Sequence, residues 1–248
     1  MEHQFVGHLH CPALLGSSLS VQDAQKAIQR LTQEALALSS AGCNHLILDV
    51  YHAFEAAPGY NDQREWLHLS TLCHQLGQAL PHVQLGLRVA FGEMEKACVL
   101  LTLGVVQFLC GHTYLKNEDV VHLEALLRQF DLLTQPVWVQ QIMCNSPSEW
   151  LDQQGQHPPY LKAYVCFDAG VEPTTESPHF PLWLLMPETG QALPPQTCGL
   201  VLAPVDADQE SPFQRDTQQP SWQQPWPYST NTLDPKRVEA YLKPWKRA

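Results

Sequence analysis

The stretch VGHLHCP, Val6 to Pro12, carries two histidines one residue apart in a strand-like apolar run. Extended side chains alternate between faces with period two, so His8 and His10 share a face. Paired imidazoles can ligate a metal, transfer protons or fill a polar interior. Proton transfer needs carboxylates nearby, and two strand-like runs end in them: HLILDV at Asp49 and AYVCFD at Asp168. His10, Asp49 and Asp168 are the candidate catalytic set, because a histidine beside carboxylates exchanges protons near neutral pH. The bland alternative has both aspartates closing their strands by accepting loop amides while His10 donates to a neighbour. His8, deeper in its strand, reads as an interior companion.

Other polar residues at or beyond strand ends form a candidate ligand-binding set with His8: His52, Arg88, His112 and Glu188. Arg88 is the one arginine in a predicted strand, and facing inward it would hold a carboxylate or phosphate. Cys110 and Cys144, set against His112, have the types of a thiol nucleophile and its base. Both follow apolar runs, where a thiol behaves as a small hydrophobe.

Alternating strands and helices must position these groups. Ser20 reads as an N-cap, with Ala24, Ala27, Ile28, Leu31, Ala35 and Leu38 at helical spacing and Gly42 as the stop. Strand HLILDV follows, then a helix through Trp66, Leu69, Leu72, Cys73 and Leu76 that Pro81 ends. The unit repeats: strand Val83 to Val89, a helix to Gly104, strand VVQFLC, a helix from Asn117 to Leu133, and strand PVWVQQIMC. A short helix capped by Ser146 and opened by Pro147 comes next. LKAYVCFDAG, FPLWLLMP and CGLVLAPVD read as three further strands, separated by spacers too short and proline-rich for full helices. Residues 207–232 are an irregular Gln/Pro-rich loop, and LDPKRVEAYL closes the chain with a helix opened by Pro235.

Eight strands of nearly continuous apolar character, joined by helices, predict an α/β fold: a (β/α)8 TIM barrel, one domain over 1–248, with reduced helices in its C-terminal half. An open doubly wound sheet is disfavoured because no GxGxxG follows the first strand. The formal net charge is −11, with 14 Lys and Arg spread along the chain. No basic stripe exists to neutralise phosphates, which argues against nucleic-acid binding. Eight cysteines without a CxxC pair, no signal-like start and no apolar run near 20 residues predict a reduced cytoplasmic protein with no transmembrane segment.

The run VGHLHCPALLGSS resembles the opening of the BtpA family, where a strand-end His precedes a Pro-Leu-Pro-Gly-type loop. His10, Pro12 and Gly16 stand at those places. AGCNHLILDVYHAF is similar to the family's second strand, with Asp49 and Val50 where a Glu-Asn pair stands. LGLRVAFGEMEKACVLLTLGVVQFLC resembles its third strand, helix and fourth strand, and LDPKRVEAYL its closing helix. The resemblance implies a (β/α)8 architecture and, for members outside the photosystem I biogenesis role, nucleoside-like or sugar-phosphate ligands. Several family positions differ: Cys110, Gly111 and His112 replace an Arg-Val-Asn run, Gly92-Glu93 an Asn-Asp, and Gln140-Gln141 a Lys-His. The Gly-rich phosphate loops become MPETG and LAPVD, with Pro187 and Pro204 removing amide donors.

His8-x-His10 is also similar to the strand-one ligand pair of the amidohydrolase superfamily, whose ion generates hydroxide. Only Asp206 matches a further ligand of that set, so no metal site is assigned and the cofactor is left unspecified. Three functions follow. The first is a barrel binding a small polar metabolite at its C-terminal mouth, with His/Asp acid–base chemistry. The second is a catalytically degenerate relative, an assembly or regulatory factor with a protein or homo-oligomeric partner. The third is a metal-dependent hydrolase.

Overall fold

The computed structural model describes residues 4–11, 24–50, 62–89, 93–111, 117–141, 161–166, 182–185, 197–202 and 235–243. In chain order the described elements are β1 (Gln4–His10), α1 (Ala24–Ser40), β2 (His45–Asp49), α2 (Asp62–Ala79), β3 (Gln84–Val89), α3 (Met94–Thr102) and β4 (Phe108–Gly111). Then come α4 (Asn117–Gln129), β5 (Val137–Gln141), β6 (Leu161–Cys166), β7 (Leu182–Leu185), β8 (Thr197–Leu202) and α5 (Pro235–Leu242). The strands follow one another in sequence order in a closed barrel, β1-β2-β3-β4-β5-β6-β7-β8. From β3 to β8 every neighbouring pair is parallel. The chain therefore has the (β/α)8 TIM-barrel fold. The expected short helix at Ser146–Pro147 and the loop 207–232 lie outside the described residues.

The chain divides into two compact units, one of Gly7–Leu85 with Ala203–Ala248, the other of Met1–Val6 with Gly86–Leu202. In the first, α1 buries Leu31, Ala35 and Leu38, spaced four and three residues apart, as an apolar helix stripe requires. Each such leucine contributes about 1.5–3 kcal/mol on burial. The helix α2 does the same with Leu69, Leu72, Cys73 and Leu76. The closing helix α5 packs against α1 and buries Val238 and Leu242, four residues apart.

Helix ends follow one rule. After α1, Gly42 (φ 109°) donates to the Ser39 carbonyl at 2.9 Å and Cys43 to the Leu38 carbonyl at 3.0 Å. That is a Schellman closure, which turns the chain through a left-handed residue and satisfies the last carbonyls.

In the second unit, α3 ends identically: Gly104 (φ 68°) donates to Leu101 and Val105 to Leu100, both at 3.0 Å. The strand expected from Val105 starts instead at Phe108, because Val105 is spent on this closure. The helix expected to reach Leu133 ends at Gln129, where Asp131 (φ 57°) takes the left-handed place. Leu132 then donates to the Leu127 carbonyl at 2.7 Å. Beside these helices, β3 and β4 pair with Gly86 opposite Phe108 and Arg88 opposite Cys110. A Cβ on Gly86 would collide with the Phe108 ring, so the glycine lets the ring lie against the sheet.

Candidate functional site

The site begins with the question of which way β1 faces. A Cβ built on Gly7 would stand 2.7 Å from Leu38 Cδ1 on α1 and 2.6 Å from Leu46 Cδ2 on β2. Gly7 and Leu46 therefore point into the layer between strands and helix. Side chains alternate along a strand, so His8 and Asp49 point to the opposite face, away from α1. There they meet: His8 Nε2 lies 3.2 Å from Asp49 Oδ2. Both residues are buried, His8 at 3% and Asp49 at 4% relative exposure, so little water competes for the bond. Asp49 is the last residue of β2, and its carbonyl accepts the Cys11 N–H at 2.8 Å. One residue thus ties down the end of β1 through its backbone and a β1 imidazole through its carboxylate.

Two buried thiols, Cys11 and Cys73, belong to the opposite layer. Cys11 shares the parity of Gly7, and Cys73 lies on the buried stripe of α2. Burial pushes the Cys11 thiol well above 9.0, with lesser contributions from Cys73 and Asp49. Burial also pushes Cys73 up to about 12. Thiols so placed stay protonated at neutral pH and are poor nucleophiles. Cys110 on β4 is buried as well, in keeping with a packing role for it.

Asp49, set with His10 in the sequence reading, is bonded to His8. The His10 backbone closes β1, but its side chain is outside those described, and so are His52, His112, Cys144, Asp168 and Glu188. Arg88 is 8% exposed, on β3 in the second unit, two residues beyond Gly86 and so on the face that carries the Phe108 ring.

Sequence reasoning passed over one buried carboxylate. Glu65, in the first turn of α2, is 1% exposed. It stands four residues before Leu69 and eight before Cys73, in line with the apolar stripe, and that phase is the signal that marks it as inward-facing. Among the described residues no group of three His, Cys, Asp or Glu is placed to hold a metal ion. Among the same residues no helix is long and apolar enough to cross a membrane.

No protein-family model matches the chain. A search of curated proteins gave no match. Solved structures do match. A Pseudomonas aeruginosa protein assigned as a dihydrodipicolinate synthetase aligns with TM-score 0.51 at 8% identity, over 81% of this chain and 70% of that one. A dihydrodipicolinate synthase aligns with TM-score 0.51 at 10% identity, over 83% and 71%. The phosphoribosyl anthranilate isomerase of Thermus thermophilus aligns over 97% and 96% at 13% identity, with TM-score 0.49. At identities this low the two likenesses above 0.5 speak for the fold alone, and they agree with the strand order.

Proposed function

We propose that the chain is a BtpA-like single barrel that binds a small polar metabolite, nucleoside-like or sugar-phosphate-like, at its C-terminal mouth, with His/Asp acid–base chemistry there. The observation that supports it is the His8–Asp49 bond on the strand face turned away from α1. A buried ionisable pair is a poor way to gain stability, since apolar residues of equal volume serve as well or better. In a (β/α)8 barrel, ligands are handled by residues at the C-terminal ends of the strands. Asp49 occupies such an end, and His8 is two residues short of another.

His10 and Asp168 complete the proposed catalytic set. His52, His112 and Glu188 are proposed ligand contacts at the strand ends, and Arg88 a proposed carboxylate or phosphate contact. The proposed location is the cytoplasm. The departures from the BtpA pattern at 92–93, 110–112 and 140–141 support a second reading, a binding protein that has lost catalysis.

Thermal unfolding of the full chain with adenosine, ribose 5-phosphate and their relatives tests this. Ligand at about 100 times Kd stabilises a binding protein by about 2.7 kcal/mol, which moves the Tm of a chain this long by roughly 5–10 °C. The Asp49→Ala variant should lose that shift. If no nucleoside or sugar phosphate moves the Tm, the metabolite reading fails. Stoichiometric Zn²⁺ that disappears in His10→Ala would favour the hydrolase.

A further inference from the structure

We propose that the outer face of α2 is an interface between two copies of this chain, related by a two-fold axis that sets α2 antiparallel to its copy. The side of α2 opposite its buried stripe presents Leu67, Thr71, His74 and Gln78, spaced four, three and four residues apart and all exposed. Leu67 is 68% exposed, an unusual cost for a leucine in the middle of a helix face. Helix α1 packs against α2 and adds Leu36, which is 43% exposed. These residues all belong to the unit of Gly7–Leu85.

Charge selects the occupant. From Trp66 to Ala79 the helix carries no Asp, Glu, Lys or Arg, whereas the whole chain has a net charge of −11. Two such acidic chains repel, and a face without charge is where they approach at least cost. Interface cores are likewise poor in charged residues. A basic partner would be drawn to acidic surface instead. Shape points the same way. Gly77 lies inside α2, where alanine is the better helix former. It does not take a left-handed φ, and among the described residues a Cβ on it would meet nothing within 4 Å. Neither its backbone nor its packing within the chain calls for a glycine. In the antiparallel pair, Leu67 of each copy lies level with the hollow between His74, Gly77 and Gln78 of the other. The fit of knob into hole is repeated by the two-fold, as a self-complementary face requires. The polar groups of this face bond within the helix: Thr71 Oγ1 donates to the Leu67 carbonyl at 2.9 Å, and Gln78 Nε2 to His74 Nε2 at 3.0 Å. Covering them keeps those bonds, which lowers the cost of removing the face from water.

Sedimentation velocity of the full chain over a concentration series tests the interface. The expected species has twice the chain mass. Leu67→Lys, which places a charge in the hollow twice per dimer, should weaken the dimer roughly tenfold or more. Gly77→Ala fills the hollow and should weaken it by about tenfold as well. In the Leu67→Lys background the same alanine should raise the Tm by about 2–4 °C, because only helix propensity then counts. Val121→Lys, at an equally exposed position on α4, should leave the mass unchanged. A thermal melt of each variant confirms that it is folded. A wild-type chain that stays monomeric at its highest soluble concentration overturns the proposal. So does a dimer unmoved by Leu67→Lys, or one dissolved by Val121→Lys. A dimer that Gly77→Ala leaves unchanged or tightens overturns the antiparallel fit.

Discussion

Two pairs of strands in this molecule use glycine in opposite ways. In β1 and β2, Gly7 opens space for Leu38 of α1 and Leu46, so the glycine serves the helix layer. The other face of the same strands carries His8 bonded to Asp49. In β3 and β4, Gly86 opens space for a ring from the neighbouring strand, and Phe108 fills it. The difference separates packing from chemistry. Where a large apolar ring occupies the sheet, steric fit explains the residues on both strands. Where the space is given to a buried imidazole and carboxylate, packing alone does not explain the choice, because leucines would fill it at no polar cost.

The largest expected effect tests the packed pair. In Gly86→Ala the new methyl overlaps the Phe108 ring, which is fully buried. Overpacking of a rigid ring should cost about 3 kcal/mol, read from the urea midpoint. Combining it with Phe108→Leu should recover part of the loss, since residues in contact are coupled. A double variant whose loss is the plain sum of the two singles would break the account of Gly86.

Gly7→Ala should cost less, about 1–2 kcal/mol in the same measurement. Here the methyl meets the ends of the Leu38 and Leu46 side chains at 2.7 and 2.6 Å, and a leucine tip can rotate where a ring cannot. A Gly7→Ala cost equal to that of Gly86→Ala would erase the distinction between flexible and rigid neighbours.

These contacts also show what a sequence discloses. The alternation of strands with helices announced the barrel, since the stripes Leu31–Ala35–Leu38 and Leu69–Leu72–Cys73–Leu76 have the helical period and are buried as that period requires. The stops at Gly42 and Gly104 were legible because glycine takes a left-handed φ without strain. Period two placed His8 and His10 on one face but did not give the bond between His8 and Asp49. That depends on the stagger between β1 and β2, a cross-strand quantity with no local signature. Glu65 was hidden for another reason. A carboxylate in the first turn of a helix is commonplace at the surface, and only its phase with Leu69 marks it as buried.

The stop of α4 escaped because Asp131, not glycine, takes the left-handed position at φ 57°. Its bonds match those after α1 and α3: Asp131 donates to the Arg128 carbonyl at 3.1 Å and Leu132 to the Leu127 carbonyl at 2.7 Å. The closure is therefore set by the chain geometry and tolerated by the residue, which bears the Cβ clash that glycine avoids. Asp131 is exposed, so replacing it removes no core contact. Asp131→Gly should stabilise the protein by about 1 kcal/mol, a small rise in the urea midpoint at unchanged slope. Gly104→Ala, which imposes the same clash where none exists now and whose Cβ would meet nothing within 4 Å, should destabilise by a similar amount. Opposite signs of similar size at these two helix ends would show that the backbone conformation sets the cost. That in turn sharpens the reading of Gly86 and Gly7, where φ is not the constraint and the neighbouring side chains are.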